Sequence, residues 1–311
     1  MGDPGTRRGL IAIVAIVIVS APIAFMIGRS LPGDEPPPAV DVSSRVAQGN
    51  LALSGWIGWE RGRAPQEVTA LVSEARVVNP AVTDVSVVLG DLPADRIPAM
   101  FSTLGLRASS GEELSAGALK ARAYTGELPG TDPLAIMALL IPTTNGISTA
   151  VCLSRGGSTA AAEDCRTVLT TTVALRGTKP AAASPDVADA SALRASISEL
   201  NTRRNRDAAA LSAAATSGRQ ANAAEALSAD YSQVASRLSD FEFTQLATPS
   251  GRSLVQQLKA AAAAYDALAR AADSDSRSGY TAALGTATDA DAKIEEALEQ
   301  LTALGYGKTE K

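Results

Sequence analysis

Between residues 187 and 306, apolar side chains recur at steps of three and four, four times over. Leu193, Ile197, Leu200, Arg204, Leu211 and Ala214 share one stripe. Leu227, Tyr231, Val234, Leu238 and Phe241 share a second; Leu254, Leu258, Ala261, Tyr265, Leu268 and Ala272 a third. Tyr280, Leu284, Ala287, Asp291, Ile294, Leu298 and Leu301 make the fourth. Such spacing restricts the segment to amphipathic helices packed on one another. The breaks carry stop and start chemistry. Ser217-Gly218 separates the first two helices, Thr248-Pro249 offers an N-cap with Pro at N1, and Asp273-Ser274-Asp275-Ser276 supplies caps for the last. Short connections imply an antiparallel, up-down-up-down four-helix bundle, with the first and fourth helices as neighbours. Alanine at many seam positions lets the helices approach closely.

Two charges interrupt the seams, Arg204 midway along the first helix and Asp291 midway along the fourth. Antiparallel neighbours put both at similar height. The spacing therefore predicts a polar pair in or beside the core, which fixes register. Two readings stand beside it: both side chains snorkel to solvent, or Arg204 binds the anion of a ligand between the helices.

The preceding region, 40–178, mixes strands and helices. Asp84 to Leu89 and Ala121 to Thr125 read as strands. Pro93 to Leu104 reads as a short helix through Ile97, Met100, Phe101 and Leu104, with Pro98 moving its start to about Ile97. Leu134 to Ile141 and Ile147 to Leu153 flank Pro142-Thr143-Thr144-Asn145-Gly146, and Asn-Gly predicts a hairpin turn with both residues at positive φ. Ala160 to Thr170 reads as a helix; Thr170 to Leu175 either continues it or returns as a strand. Composition changes at Lys179-Pro180-Ala181-Ala182-Ala183-Ser184-Pro185, after which the chain is alanine-rich.

Gly9 to Gly28 carries no charged residue, and at ~1.5 Å per residue it spans ~30 Å, the depth of a bilayer core. Arg7 and Arg8 precede it, so the positive-inside bias predicts a cytoplasmic N-terminus and residues 30–311 outside. The competing reading is a cleaved signal peptide, for which Gly28-Arg29-Ser30 is a poor site. The organisation expected is a tail at 1–8, an anchor at 9–28, a Pro-rich spacer at 29–39, an α+β domain at 40–178, a linker at 179–186, the bundle at 187–306 and a tail at 307–311. Export agrees with the cysteines. Cys152 and Cys165 are the only pair, and in an oxidising compartment a disulfide is the default. Two free redox thiols are the alternative, without Cys-x-x-Cys spacing.

The absence of histidine removes a Ser-His-Asp triad, a Cys-His dyad and every His-ligated metal site. Two cysteines cannot build a four-thiolate site. A net charge of −5 argues against a broad nucleic-acid footprint. There is no Gly-x-Ser-x-Gly, no Walker loop, and no Ser-x-x-Lys at Lys120 or Lys259. Paired carboxylates remain open, because pairing is spatial. The reading is no enzyme, no cofactor and no metal. Arg203, Arg204 and Arg206, like the acidic run Asp289, Asp291, Glu295, Glu296 and Glu299, read as solvated helix surface. Trp56 and Trp59 are either a ligand or interface platform or ordinary core residues.

Several stretches resemble a family: Ser54-Gly55-Trp56, Val87 to Asp95, the hairpin Ile141 to Cys152, Cys165, Val173 to Gly177, and in the helices Ser253 to Leu258, Ala264 to Ala269 and Leu301 to Tyr306. The chain resembles an uncharacterised family of membrane-anchored, exported proteins of high-GC Gram-positive bacteria, with a PsbP-like α/β domain and an Ala-rich helical bundle. The resemblance implies a fold, a disulfide and an address, but no active site. Two functions follow. The first is a membrane-anchored, extracytoplasmic interaction or scaffold protein of the cell envelope, whose bundle meets a protein partner or a second copy. The alternative is an ectodomain that binds or senses a small-molecule ligand and acts through a membrane partner.

Overall fold

The computed structural model describes residues 46–53, 59–61, 65–80, 85–116, 119–128, 134–155 and 159–307. All of these belong to one compact unit, Val40–Lys311. The stretches read as tail, anchor and spacer, 1–39, lie outside the described residues, as does Trp56.

A seven-stranded sheet is the frame of the first region. Its strands are β3 (Trp59–Arg61), β4 (Ser73–Pro80), β5 (Val85–Asp91), β6 (Glu112–Ala116), β7 (Leu119–Leu128), β8 (Leu134–Thr143) and β9 (Gly146–Arg155). They are ordered β3-β4-β5-β9-β8-β7-β6, and every neighbouring pair is antiparallel. A small antiparallel sheet joins β1 (Val46–Gln48), β2 (Leu51–Leu53) and β10 (Val173–Leu175). Helices α1 (Gln66–Leu71), α2 (Ile97–Thr103) and α3 (Thr159–Thr172) flank the large sheet. Pro98 sits in the first turn of α2, where its missing N–H costs nothing, and a 3-10 turn at Ala94–Arg96 precedes it.

Both faces of the sheet are covered, which explains why β8 and β9 read as unbroken apolar runs rather than alternating ones. Ile136, Ala138 and Leu140 face one side with Val151 and Leu153. Met137, Leu139 and Ile141 face the other with Ala150 and Cys152, against Leu51, Leu53, Val168 and Leu169. On that second face Cys152 and Cys165 form a disulfide, Cα atoms 5.5 Å apart, tying α3 to β9. Closing a loop of 13 residues contributes ~3 kcal/mol in the chain-entropy model. The oxidised pair is thus present, and the free-thiol alternative is not.

The hairpin forms, but its turn is not the one expected. Thr143 pairs with Gly146, so Thr144-Asn145 is the connection. Of its residues only Gly146 has positive φ, at 129°. Thr143 displaces the Asn-Gly chemistry: its hydroxyl accepts from the Asn145 N–H at 3.2 Å and donates to the Gly146 carbonyl at 2.8 Å. The segment read as a linker is pinned beside this tip, with Thr144 N–H donating to the Lys179 carbonyl at 3.0 Å and Ala181 N–H to Pro142 at 2.9 Å.

Four long helices follow: α4 (Val187–Ala213), α5 (Ser217–Ser239), α6 (Thr248–Asp273) and α7 (Arg277–Leu301). Asp186, Thr216 and Ser276 cap α4, α5 and α7 by accepting from N–H groups three residues on. On α6, Pro249 occupies the first turn, and Ala247 rather than Thr248 stands at the cap. A turn at Thr302–Tyr306 ends the helical region. Packing runs α4 on α5, α5 on α6 and α6 on α7. The α4 backbone also meets the 302–306 turn, Arg204 of α4 reaches Asp291 of α7, and Arg194 donates to the Gly307 carbonyl at 2.6 Å.

The fold class is corrected on one point. Among the described residues no helix is long and apolar enough to cross a membrane, and the stretch 9–28 lies outside them. The long helices have alanine-rich seams and charged outer faces, which suits packing against one another in water. The observed class is an antiparallel α+β region with flanking helices, followed by an α-helical region, with no membrane-crossing helix among the described residues.

Arg122, on β7, joins the two regions. It is 9% exposed, and among the described residues no carboxylate pairs with it. Its Nε donates to Tyr124 Oη at 2.9 Å and the Ala303 carbonyl at 2.8 Å; Nη1 donates to Ser184 Oγ at 3.0 Å and Nη2 to the Gly111 carbonyl at 3.2 Å. Tyr124 Oη donates to the same Ala303 carbonyl at 2.8 Å. Burial pushes the Tyr124 phenol up to about 12 despite the neighbouring arginine charge. Ala303 lies just past the C-terminus of α7, where the helix presents its negative end. Gly305, at φ 101°, completes the turn; a Cβ there would come within 3.0 Å of Arg122 Nη1 and Pro185 Cδ.

Candidate functional site in the helical region

Each long helix sends one polar side chain to the middle of the helical region: Arg204 from α4, Tyr231 from α5, Tyr265 from α6 and Asp291 from α7. The seam spacing places them there. Tyr231 is fully buried, and its ring stacks on Tyr265 at 5.5 Å and 10°. Both phenols converge on one carboxylate: Tyr231 Oη donates to Asp291 Oδ1, and Tyr265 Oη donates to Oδ2 at 3.3 Å. Arg204 Nη1 stands 3.9 Å from Asp291 Oδ1. The two side chains singled out in the sequence are thus brought together, although at a distance where attraction is weaker than in a direct hydrogen bond.

Burial, then the Asp291 charge, raises the pKa of both phenols, that of Tyr265 to about 12. They are therefore neutral donors at any physiological pH. Burial works against the Arg204 charge, but Tyr231 and Asp291 outweigh it and its pKa rises. The two buried phenols thus satisfy their hydrogen bonding at one half-buried carboxylate in an otherwise apolar seam, with Arg204 beside it.

A second charged group lies between α4 and α5. Asp207 and Asp230 are 8% and 7% exposed, and each shifts the ionisation of the other. Arg206 grips Asp207 with two bonds of 2.7 Å. Arg203 reaches Asp230 Oδ1 at 3.6 Å and also bonds Glu199 and Gln233. Of the arginines read as solvated surface, Arg206 is exposed and Arg203 is half-buried, and both also contact carboxylates. Burial and the neighbouring Asp207 push the Asp230 carboxyl up; the Arg206 hydrogen bonds hold Asp207 down. Asp230 Oδ2 is buried without a donor. Both facts fit a carboxyl on Asp230 donating its proton to the Asp207 carboxylate. Asp207 falls on the first seam between Arg204 and Leu211, so its burial was signalled in the sequence; the pairing was not.

A groove of about 760 Å³ opens at the elbow between α5 and α6. One wall is the α6 face of Thr248, Gly251, Arg252, Val255, Gln256 and Lys259; the other is Leu238, Ser239, Phe241, Glu242 and Phe243. Phe241 and Phe243 pack at 4.8 Å, each also near Tyr306. Gly251 makes room for this, since a Cβ would meet the Phe243 ring at 2.4 Å. Neither Arg252 nor Lys259 forms an ion pair among the described residues. An aromatic floor with unpaired cations suits a ligand with an apolar body. The elbow was missed because its two walls lie on separate elements.

Trp59 lies in β3, opposite Pro80, on the edge strand of the sheet. Among the described residues no group of three or more Cys, Asp or Glu is placed to hold a metal ion.

No protein family, no curated protein and no solved structure matches the chain. The resemblance to anchored exported proteins with a PsbP-like domain is accordingly withdrawn. With no membrane-crossing helix among the described residues, four further expectations are withdrawn. These are the single-pass topology with a cytoplasmic N-terminus, the extracytoplasmic placement of 30–311, the cell-envelope scaffold role, and the membrane as a partner. The disulfide stands on its own geometry.

Proposed function

We propose that the chain is a non-enzymatic binding protein that holds a small ligand in the α5–α6 groove. The groove carries this reading: its volume of about 760 Å³ falls in the range of ligand pockets, ~300–1,000 Å³. Its aromatic floor offers apolar burial. The polar groups at the middle of the helices have another task, since Asp291 already takes both phenols. The lack of histidine and of nucleophile motifs supports a binding role over catalysis.

The test is titration of the full chain with an environment-sensitive aromatic dye, repeated on Val255→Trp. The new indole would fill the groove without entering the core, because Val255 is only partly buried. Saturable binding lost in the variant supports the reading. Binding that survives Val255→Trp unchanged, or no saturable binding, refutes it.

A further inference from the structure

Resting on that reading, we propose that the groove ligand is a monoanionic amphiphile, an aliphatic or aryl carboxylate whose head group draws on Arg252 and Lys259. The α6 wall supplies the charge. Arg252 and Lys259 are seven residues apart, so they stand on the same helix face about 10 Å from each other along the axis. Among the described residues neither has a carboxylate within 4.0 Å. Most other arginines of the helical region are committed: Arg203, Arg204, Arg206, Arg237 and Arg270 all have acidic partners. Two unpaired cations lining the same apolar cavity, in a chain of net charge −5, therefore stand out as a local positive site.

The rest of the groove limits the ligand to one charge. Phe241 and Phe243 close one wall with rings 4.8 Å apart, and Val255 lies between the two cations on the other. These side chains bury an alkyl or aryl body and offer nothing to a second head group. Glu242, on the loop wall, is one negative charge against the two positive ones of Arg252 and Lys259, so the groove stays net positive and disfavours a cationic head. The arrangement therefore separates carboxylates from alcohols and amines of equal length.

The experiment is isothermal titration of the full chain with decanoate, decanol and decylamine below their aggregation concentrations, on four proteins. These are the natural chain, Val255→Trp, the double variant Arg252→Gln/Lys259→Gln, and Arg252→Lys. Decanoate should bind the natural chain roughly tenfold more tightly than decanol, the worth of one charge-assisted hydrogen bond. The double variant should erase that difference while leaving decanol unchanged, and Arg252→Lys should retain most of it. Equal affinities for the three probes, or a decanoate preference that survives the double variant, overturns the choice of an anion while leaving a groove ligand in place. Binding of all three that ignores Val255→Trp, or no binding, overturns the groove itself. Arg252 and Lys259 are both exposed, so circular dichroism of the double variant should match that of the natural chain.

Discussion

Replacing Asp230 with Asn should stabilise the protein at neutral pH and leave it nearly unchanged in acid. Asp230 is 7% exposed, its Oδ2 has no donor, and the neighbouring Asp207 pushes its carboxyl up. When Asp230 is ionised, two carboxylates meet without a proton between them. An unsatisfied buried acceptor costs ~1–3 kcal/mol. The amide of Asn presents Nδ2 where the carboxyl would present its proton, restoring a hydrogen bond to the charged Asp207. Against this, the variant loses the Arg203 contact at 3.6 Å, a partly exposed pair worth at most ~1 kcal/mol. The net gain at pH 7 is therefore about 1 kcal/mol. The sign of the pH effect follows from the raised carboxyl of Asp230. Its contribution is complete below the ordinary carboxylate range and is lost as pH rises through its elevated folded-state value. Asp207 runs the other way, its contribution lost as pH falls below the ordinary range. Urea unfolding of both proteins at pH 4.5 and 7.5, read as the midpoint at constant slope, gives the comparison. The natural chain should lose more stability than Asp230→Asn between those values. A variant less stable at both, or two parallel profiles, would refute the shared proton.

Arg122→Met should cost ~2–4 kcal/mol, because it leaves the Gly111 carbonyl without its buried donor and parts the sheet from the 302–306 turn. The loss should appear in the urea midpoint, and near-natural stability would show that the joint is dispensable. Tyr231→Phe should cost ~1–2 kcal/mol by removing one donor from Asp291. A double-mutant cycle of Arg204→Met with Asp291→Asn should give a coupling under ~1 kcal/mol, since that pair is 3.9 Å apart and both side chains are about a quarter exposed. A larger coupling would mean that Arg204 sits closer to Asp291 in solution.

Local periodicity was the most legible part of the chain. The four seams located α4 to α7 because apolar residues recur along each at steps of three and four, and heptad arithmetic placed the two interrupting charges, Arg204 and Asp291, at one height. The same arithmetic did not reveal the tyrosines as donors to Asp291, because a seam tyrosine is indistinguishable from any other apolar member until its hydroxyl finds a partner. Arg122 gave no signal at all: it reads as an ordinary strand residue, and its acceptors at Ala303 and Ser184 are far along the chain. The Asn145-Gly146 turn was misjudged because Thr143, two residues before Asn145, takes the Asn145 N–H with its hydroxyl.

The Arg122 joint also bears on the order in which the chain assembles. Contacts within α5 to α7 are close in sequence and close quickly, whereas Arg122 and Ala303 are 181 residues apart. The helices can therefore collapse while the arginine still points into water, and its desolvation waits until the 302–306 turn arrives. Folding should show a fast helical phase and a slower locking phase. By the same reasoning, separation of the turn with rehydration of Arg122 is the expected first step of opening from the native state.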